Sequence, residues 1–418
     1  GLMMFGRFVA ASGLANLADG VAVLAWVWVA SLLTRDAALI ALVPVALRLP
    51  WAVFAVPAGV VADRVDRRRL ILTMDVLRAA AFALAAAALW WAQPLPPASA
   101  QGLAQPGLFA LLCAAALLVG VAEVFRDNAA QTMLPALVPH ERLEAANARL
   151  WTVEMVGNAL VGPAFGALLL GVFLPLPFGL NAAAYAGAAL LMAGLPGAYR
   201  PVGTGARRRW WAEAAEGWRF LRGQPLLLRL AGITGLWNLC DQMILFAMVL
   251  IAQERLGLSS AQYGLVLAAG AAGGIAAGLV GERAVRLIGP SRLARGALFV
   301  SPACYLALAY APTALSFALI FAVLEFSGPL WNIVSVSTRQ RLIPDALMGR
   351  VNSLYRLLAW GMMPLGTLLA GGLIAGGEAG LGRAAALHLP LLVAAGLALV
   401  LALLAWPVLR RGLPRRAA

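Results

Sequence analysis

The chain has 418 residues, of which 62% are hydrophobic and 12% charged, with a formal net charge of +14. A soluble domain is about one quarter charged, so these charges are too few to coat a soluble body of this size. Apolar blocks of about twenty residues instead mark a polytopic helical membrane protein. All 32 basic residues are arginine, which excludes a Walker A nucleotide site and any lysine Schiff-base cofactor.

In chain order, hydropathy predicts twelve membrane helices, over residues 5–33, 37–61, 70–92, 107–133, 146–172, 179–199, 225–252, 260–281, 294–311, 313–338, 350–376 and 384–408. Two connections are longer than the rest: 93–106, rich in Pro and Gln, and 200–224, rich in Arg. The predicted domains are therefore a first six-helix bundle (1–199), a linker (200–224) and a second bundle with a basic tail (225–418). One set of alternate loops, with the tail, holds Arg64, Arg67, Arg68, Arg69, Arg142, Arg207, Arg208, Arg209, Arg283, Arg286, Arg339, Arg341, Arg410 and Arg411, whereas the opposite loops hold only Arg35, Arg255 and Arg383. The excess of positive charge places that side, both termini and the linker in the cytoplasm of a bacterial-type inner membrane. These arginines read as topology signals, so no nucleic-acid partner is expected. Within the linker, Trp210, Trp211, Trp218 and Phe220 alternate with Arg and Glu, the pattern of an amphipathic helix lying on the inner leaflet.

The chain repeats itself. Arg7-x5-Gly13-Leu-x-Asn16-Leu-x-Asp19 returns as Arg229-x5-Gly235-Leu-x-Asn238-Leu-x-Asp241. Gly59-x3-Asp63-Arg64-x2-Arg67 returns as Gly278-x3-Glu282-Arg283-x2-Arg286, and Pro139-x7-Asn147 as Pro344-x7-Asn352. Six spans per repeat, an even number, give both halves the same orientation, so a ligand site is expected between them near the midplane.

Those motifs carry a resemblance to the major facilitator superfamily over essentially the whole chain. The run Gly59 to Arg69 is similar to the superfamily's loop motif between helices two and three, with Asp66 where that motif has Gly. Gly157-x4-Gly162-Pro163-x2-Gly166 resembles the fifth-helix motif of its antiporters. Residues 127–147 resemble the branch of macrolide, multidrug and siderophore exporters. The resemblance implies an all-α fold of two pseudo-symmetric six-helix bundles and export by alternating access. In that reading Gly59, Asp63, Arg64, Arg67, Glu282 and Arg283 form a conformational latch; its rival is that the arginines only set topology.

Charges within the spans cost several kcal/mol each unless paired or hydrated. At about 1.5 Å per residue, Asp19 lies about 21 Å and Arg48 about 16 Å from the outer ends of their helices, close enough in depth to pair. Asp241 and Glu325 sit at similar depth. Glu123 and Asp127, one turn apart, share a helix with Arg126, and Glu154 stands in the fifth span. Asn16 and Asn238 precede Asp19 and Asp241 by one turn. Together these ten residues are the expected proton and substrate cavity; static pairing and packing are the alternative. Asp75 and Arg78, three apart, read as a static pair. Trp26, Trp237, Phe246, Trp331 and Trp360 are candidates for an apolar wall. Cys113, Cys240 and Cys304 read as small hydrophobes. With no HExxH, GxSxG or metal-ligand spacing, neither enzymatic activity nor any cofactor or metal is expected. The expected partners are a small-molecule substrate, protons and membrane lipids, and the functional unit is a monomer. The preferred function is proton-coupled export of amphipathic drugs or siderophore-like molecules. A lipid or lysophospholipid flippase of the same fold, and a non-transporting membrane sensor or assembly factor, remain open at this point.

Overall fold

The structure, a computed structural model, describes residues 2–142, 146, 149–150, 153–154, 156–199 and 209–416, without the side chains of Asp63, Gln131, His140, Ala159, Leu160, Trp210, Asp345 and Met348. Asn147 of the third repeat, and Arg207 and Arg208 of the linker, lie outside the described residues. Among those described there is no β-strand. Among them, too, eleven helices are long and apolar enough to cross a membrane, and a shorter apolar helix, Val156–Val172, stands where the fifth span is predicted. The chain forms two compact units, Gly1–Trp210 with Ser259–Gly264, and Trp211–Leu258 with Leu265–Ala418.

The first unit contains α1 (Leu2–Leu33), α2 (Ala37–Arg64), α3 (Arg67–Ala92), α4 (Pro106–Leu137), α5 (Gly162–Val172) and α6 (Leu176–Ala193). Polar residues set where these helices start. The Asp36 carboxylate accepts from the Ala38 N–H at 3.1 Å and caps α2. Asp66 accepts from the N–H groups of Arg68 and Arg69 at 3.0 and 3.3 Å and caps α3. That cap accounts for an aspartate in place of glycine in the loop motif, because a side-chain oxygen here satisfies two otherwise orphaned donors. The sixth span ends at Ala193, short of the predicted 199, because Gly194 and Pro196 follow. Here α3 lies against both α4 and α6, α2 packs on α4, and α1 packs on α5 and α6.

The second unit contains α7 (Trp210–Arg222), α8 (Pro225–Glu254), α9 (Ser260–Ile288), α10 (Pro290–Tyr310), α11 (Ala314–Leu342), α12 (Met348–Trp360), α13 (Met362–Leu381), the single turn α14 (Arg383–Ala386) and α15 (Leu389–Gly412). Its neighbours repeat those of the first unit: α8 packs on α12, α13 and α15, and α10 packs on α11 and α15. The last span, Arg383–Gly412, encloses the predicted 384–408, with α14 passing into α15 just before Pro390.

Among the described residues one span in each unit carries an irregular turn followed by a proline. Before α5 the chain makes a π-turn over Val156–Val161, and Pro163 follows. The eleventh span runs through Arg350–Leu381 as predicted, with α12 and α13 meeting at Gly361, whose backbone stays helical and whose N–H bonds the Leu357 carbonyl, and Pro364 follows. Proline cannot donate the helical hydrogen bond and its ring crowds the preceding turn, which favours an irregular turn at both sites. Glycines near each of these turns bring backbones together. A Cβ on Gly166 would overlap the Val21 carbonyl oxygen of α1, and one on Gly162 would fall 2.6 Å from Gly20 Cα. In the second unit a Cβ on Gly366 would overlap the Leu239 carbonyl oxygen of α8, and one on Gly235 would lie 2.7 Å from the Leu358 oxygen.

Candidate functional site

Each unit holds ionisable side chains within its spans. In the first, Arg78 is fully buried and joins three helices. It pairs with Asp75 of its own helix at 2.7 Å and with Asp19 of α1 at 3.0 Å, while its guanidinium stacks 4.1 Å above the Tyr185 ring of α6. The Tyr185 hydroxyl donates to the same Asp19 oxygen. Asp75 Oδ1 also accepts from Arg126 of α4 at 3.3 Å. Four helices are thus tied by one chain of charges, each member satisfying another, as burial requires.

Beside this network a cavity of about 220 Å³ is lined by Asp19, Arg48, Glu123, Asn158, Tyr185, Trp26 and Phe82, among others. Three of the expected cavity residues therefore share one space: Asp19, Arg48 and Glu123. The ion-pair partner of Asp19 is Arg78 rather than the expected Arg48, because Arg78 enters between α1 and α6 and is held there by Tyr185. Arg126 is likewise committed to Asp75 and is 1% exposed, so it serves the network rather than the cavity wall. Asn16 Oδ1 accepts from Asn158 at 2.6 Å, and Asn16 donates back to the Ser12 carbonyl. It therefore spans the contact between α1 and the π-turn. Asp127 and Glu154 are half-buried and do not line this cavity.

In the second unit, Asp241 of α8 and Glu325 of α11 are half-buried, and Asp241 Oδ1 is shielded from solvent without a hydrogen-bond partner. Asn238 donates to the Ala359 carbonyl at 2.9 Å, just ahead of Gly361. The expected aromatic wall is mostly core. Trp331 donates to Thr234 Oγ1 at 3.0 Å, Trp237 donates to Ser301 Oγ at 2.8 Å, and Phe246 is buried. Trp26 lines the first-unit cavity, where Phe82 and Phe178 support it with ring centroids 5.2 and 5.1 Å away.

The loop motif divides its duties. The Arg67 guanidinium donates to the Thr132 carbonyl at 2.7 Å, at the end of α4, and Arg68 donates to the Leu195 carbonyl at 2.8 Å, just past α6. Both close helix C-termini inside the first unit, where a cation complements the helix dipole. Arg64 is exposed, as are Glu282 and Arg283 in the second unit. Gly59 is half-buried, with Asn128 4.0 Å from where its Cβ would stand. Gly157, Gly162 and Gly166 all lie against α1, and Pro163 is buried beside them. Among the described residues no group of three His, Cys, Asp or Glu is placed to hold a metal ion.

Sequence reasoning did not place Asp75, Arg78 and Tyr185 in the site. The first two carried a usable signal: opposite charges three residues apart inside an apolar helix, with Arg78 about 16 Å along it at 1.5 Å per residue. Tyr185 carried none.

Twelve spans in two repeated units, with carboxylates buried beside a polar cavity, define the class of polytopic membrane transporters. A profile of the Major Facilitator Superfamily matches residues 3–367, and the chain belongs to that family. As a transporter of that family it handles a small-molecule substrate. It is 26% identical over 388 residues to "Multidrug efflux pump Tap" of Mycobacterium tuberculosis and of Mycobacterium bovis, covering 88% of this chain and 85% of each relative. Its fold is similar to that of a bacterial homologue of the human lysosomal transporter Spinster, in an inward-facing unoccupied conformation. The TM-score is 0.73 at 14% identity, covering 99% of this chain and 98% of that one. It is also similar to an inward-facing bacterial homologue of the iron transporter ferroportin, with a TM-score of 0.69 at 16% identity, covering 96% and 97%.

Proposed function

We propose that this protein is an inner-membrane exporter of amphipathic drug-like or siderophore-like molecules, driven by proton antiport through alternating access. The observation that carries the reading is the first-unit cavity, where Asp19 and Glu123 meet Arg48 against an aromatic wall. Its relative in Mycobacterium is a multidrug efflux pump, which supports export. A proton arriving on Asp19 removes the ion pair that ties Arg78 of α3 to α1, so protonation is coupled to the helix contacts beside the π-turn. Asp241 and Glu325 are the corresponding proton sites of the second unit. Each charge moved across the membrane contributes about 2.3 kcal/mol per 100 mV. The arginine distribution supports a cytoplasmic position for the termini, the linker and the tail.

The test is accumulation of a fluorescent cationic dye in proteoliposomes carrying an imposed pH gradient. Wild-type protein should accumulate dye, and collapsing the gradient should stop it. The Asp241→Asn, Glu325→Gln double variant should lose gradient-driven accumulation while retaining dye counterflow. Gradient-driven transport that survives in the double variant refutes the assignment of these carboxylates. Transport indifferent to the gradient refutes proton coupling.

A further inference from the structure

The thirteen-residue helix α7 has two faces of different chemistry. One is docked on the second unit. Leu221 is fully buried and packs with Leu227, Ile343 and Val351, with Phe220 against the same cluster. Glu216 accepts from Arg350 of α12 at 3.0 Å, and Glu213 lies 3.6 Å from the same guanidinium. Gly217 rests on the Arg350 backbone so closely that a Cβ would meet it at 3.2 Å. The opposite face is exposed. Trp211 and Trp218, two turns apart and so on one side, are 52% and 41% exposed, and Arg219 and Arg222 flank them in the open.

The charges are sorted between these faces. Both glutamates of α7 are turned to Arg350, so the charged groups on the outer face are arginines. Arg209 is exposed immediately before the helix, and Arg207 and Arg208 precede it in sequence. Tryptophan beside arginine on the outer face of a surface helix matches an anionic phospholipid surface: the rings enter the headgroup boundary and the guanidinium groups meet phosphates. The docked face, meanwhile, is fixed to the first turn of α12, the leading segment of the eleventh span. There Arg339 stacks 4.1 Å above Tyr355 and donates to Asn352 at 3.4 Å.

We infer that α7 is a lipid-reading strap: its Trp211, Trp218, Arg219 and Arg222 face binds anionic phospholipid, and the Glu213, Glu216 and Arg350 contact passes that binding to α12. Anionic lipid therefore holds the cytoplasmic end of the eleventh span in place, and transport depends on lipid charge.

The test uses the full chain in vesicles of phosphatidylcholine with increasing phosphatidylglycerol. Ala215 lies on the exposed face, so Ala215→Cys with Cys113 replaced by serine provides a site for an environment-sensitive fluorophore; Cys240 and Cys304 are buried. The emission should shift to the blue as phosphatidylglycerol rises, and salt should reverse the shift. Docking should weaken about five-fold for each of Arg219→Gln and Arg222→Gln. Arg350→Gln should keep the shift but abolish the dependence of dye counterflow on phosphatidylglycerol. An emission indifferent to lipid charge, or a shift unchanged in the double arginine variant, overturns the lipid site. A shift accompanied by counterflow that ignores lipid charge in wild type overturns the coupling to α12. The fluorescence readout needs neither protons nor substrate, so its failure is distinct from failure of the proposed transport.

Discussion

Replacing Arg78 with leucine removes a buried cation from between two carboxylates. The structure fixes what each anion loses. Asp75 keeps Arg126 at 3.3 Å but gives up its 2.7 Å partner, and Asp19, 12% exposed at the cavity, keeps only the Tyr185 hydroxyl. Breaking a buried ion pair from one side typically costs about 3–5 kcal/mol, because the remaining charge stays desolvated. With one substitute partner and some hydration available, the lower end of that range, about 3 kcal/mol, is expected. Removing the charges as a set should cost far less, since an apolar or neutral replacement of a whole buried pair is often nearly neutral. The assay is thermal unfolding of purified protein in detergent, followed by tryptophan fluorescence, for Arg78→Leu, for Asp19→Asn, and for the double variant, which leaves the Asp75–Arg126 pair intact. The Arg78→Leu variant should melt well below wild type, and the double variant should recover most of the difference. An Arg78→Leu variant as stable as wild type, or a double variant no better than Arg78→Leu alone, would show that the network carries no such interdependence.

Three further outcomes follow from the packing. Gly166→Val and Gly366→Val should each destabilise by about 1–3 kcal/mol or more through overpacking and reduce folded yield, since a side chain at either position collides with the Val21 or Leu239 backbone, whereas Gly372→Ala, with nothing within 4 Å of its Cβ position, should melt as wild type does; size-exclusion profiles and melting curves of the three separate these cases. Asp66→Ala should cost about 1 kcal/mol by uncapping α3, while Asp66→Gly, which restores the residue of the superfamily pattern, should cost only about a few tenths; equal melting of the two variants would remove the capping account. Arg255 donates to the carbonyls of Leu308, Ala309 and Ala311 and bonds His388 Nε2 at 2.8 Å, so Arg255→Gln should lower stability by about 1.5–3 kcal/mol, the worth of charged hydrogen bonds, and increase hydrogen exchange at the end of α10.

The amino-acid sequence by itself determined the spans, their number and the repeat. Those depend on local properties: twenty apolar residues suffice for a span because every backbone group must be bonded within it, and a duplicated motif such as Asn16-x2-Asp19 and Asn238-x2-Asp241 is visible without any contact. The sequence also supplied the inventory of costly charges. It could not say which of them meet. Asp19 and Arg48 have matching depths along their helices, but depth does not fix rotation about the helix axis, and packing turns Asp19 toward Arg78 and Tyr185 instead. The same holds for Trp331 and Phe246, whose aromatic character suited a ligand wall as well as a core until the neighbouring helices enclosed them. The docking of α7 on Arg350 was likewise decided only by tertiary structure, because it depends on a close approach between segments far apart in the chain.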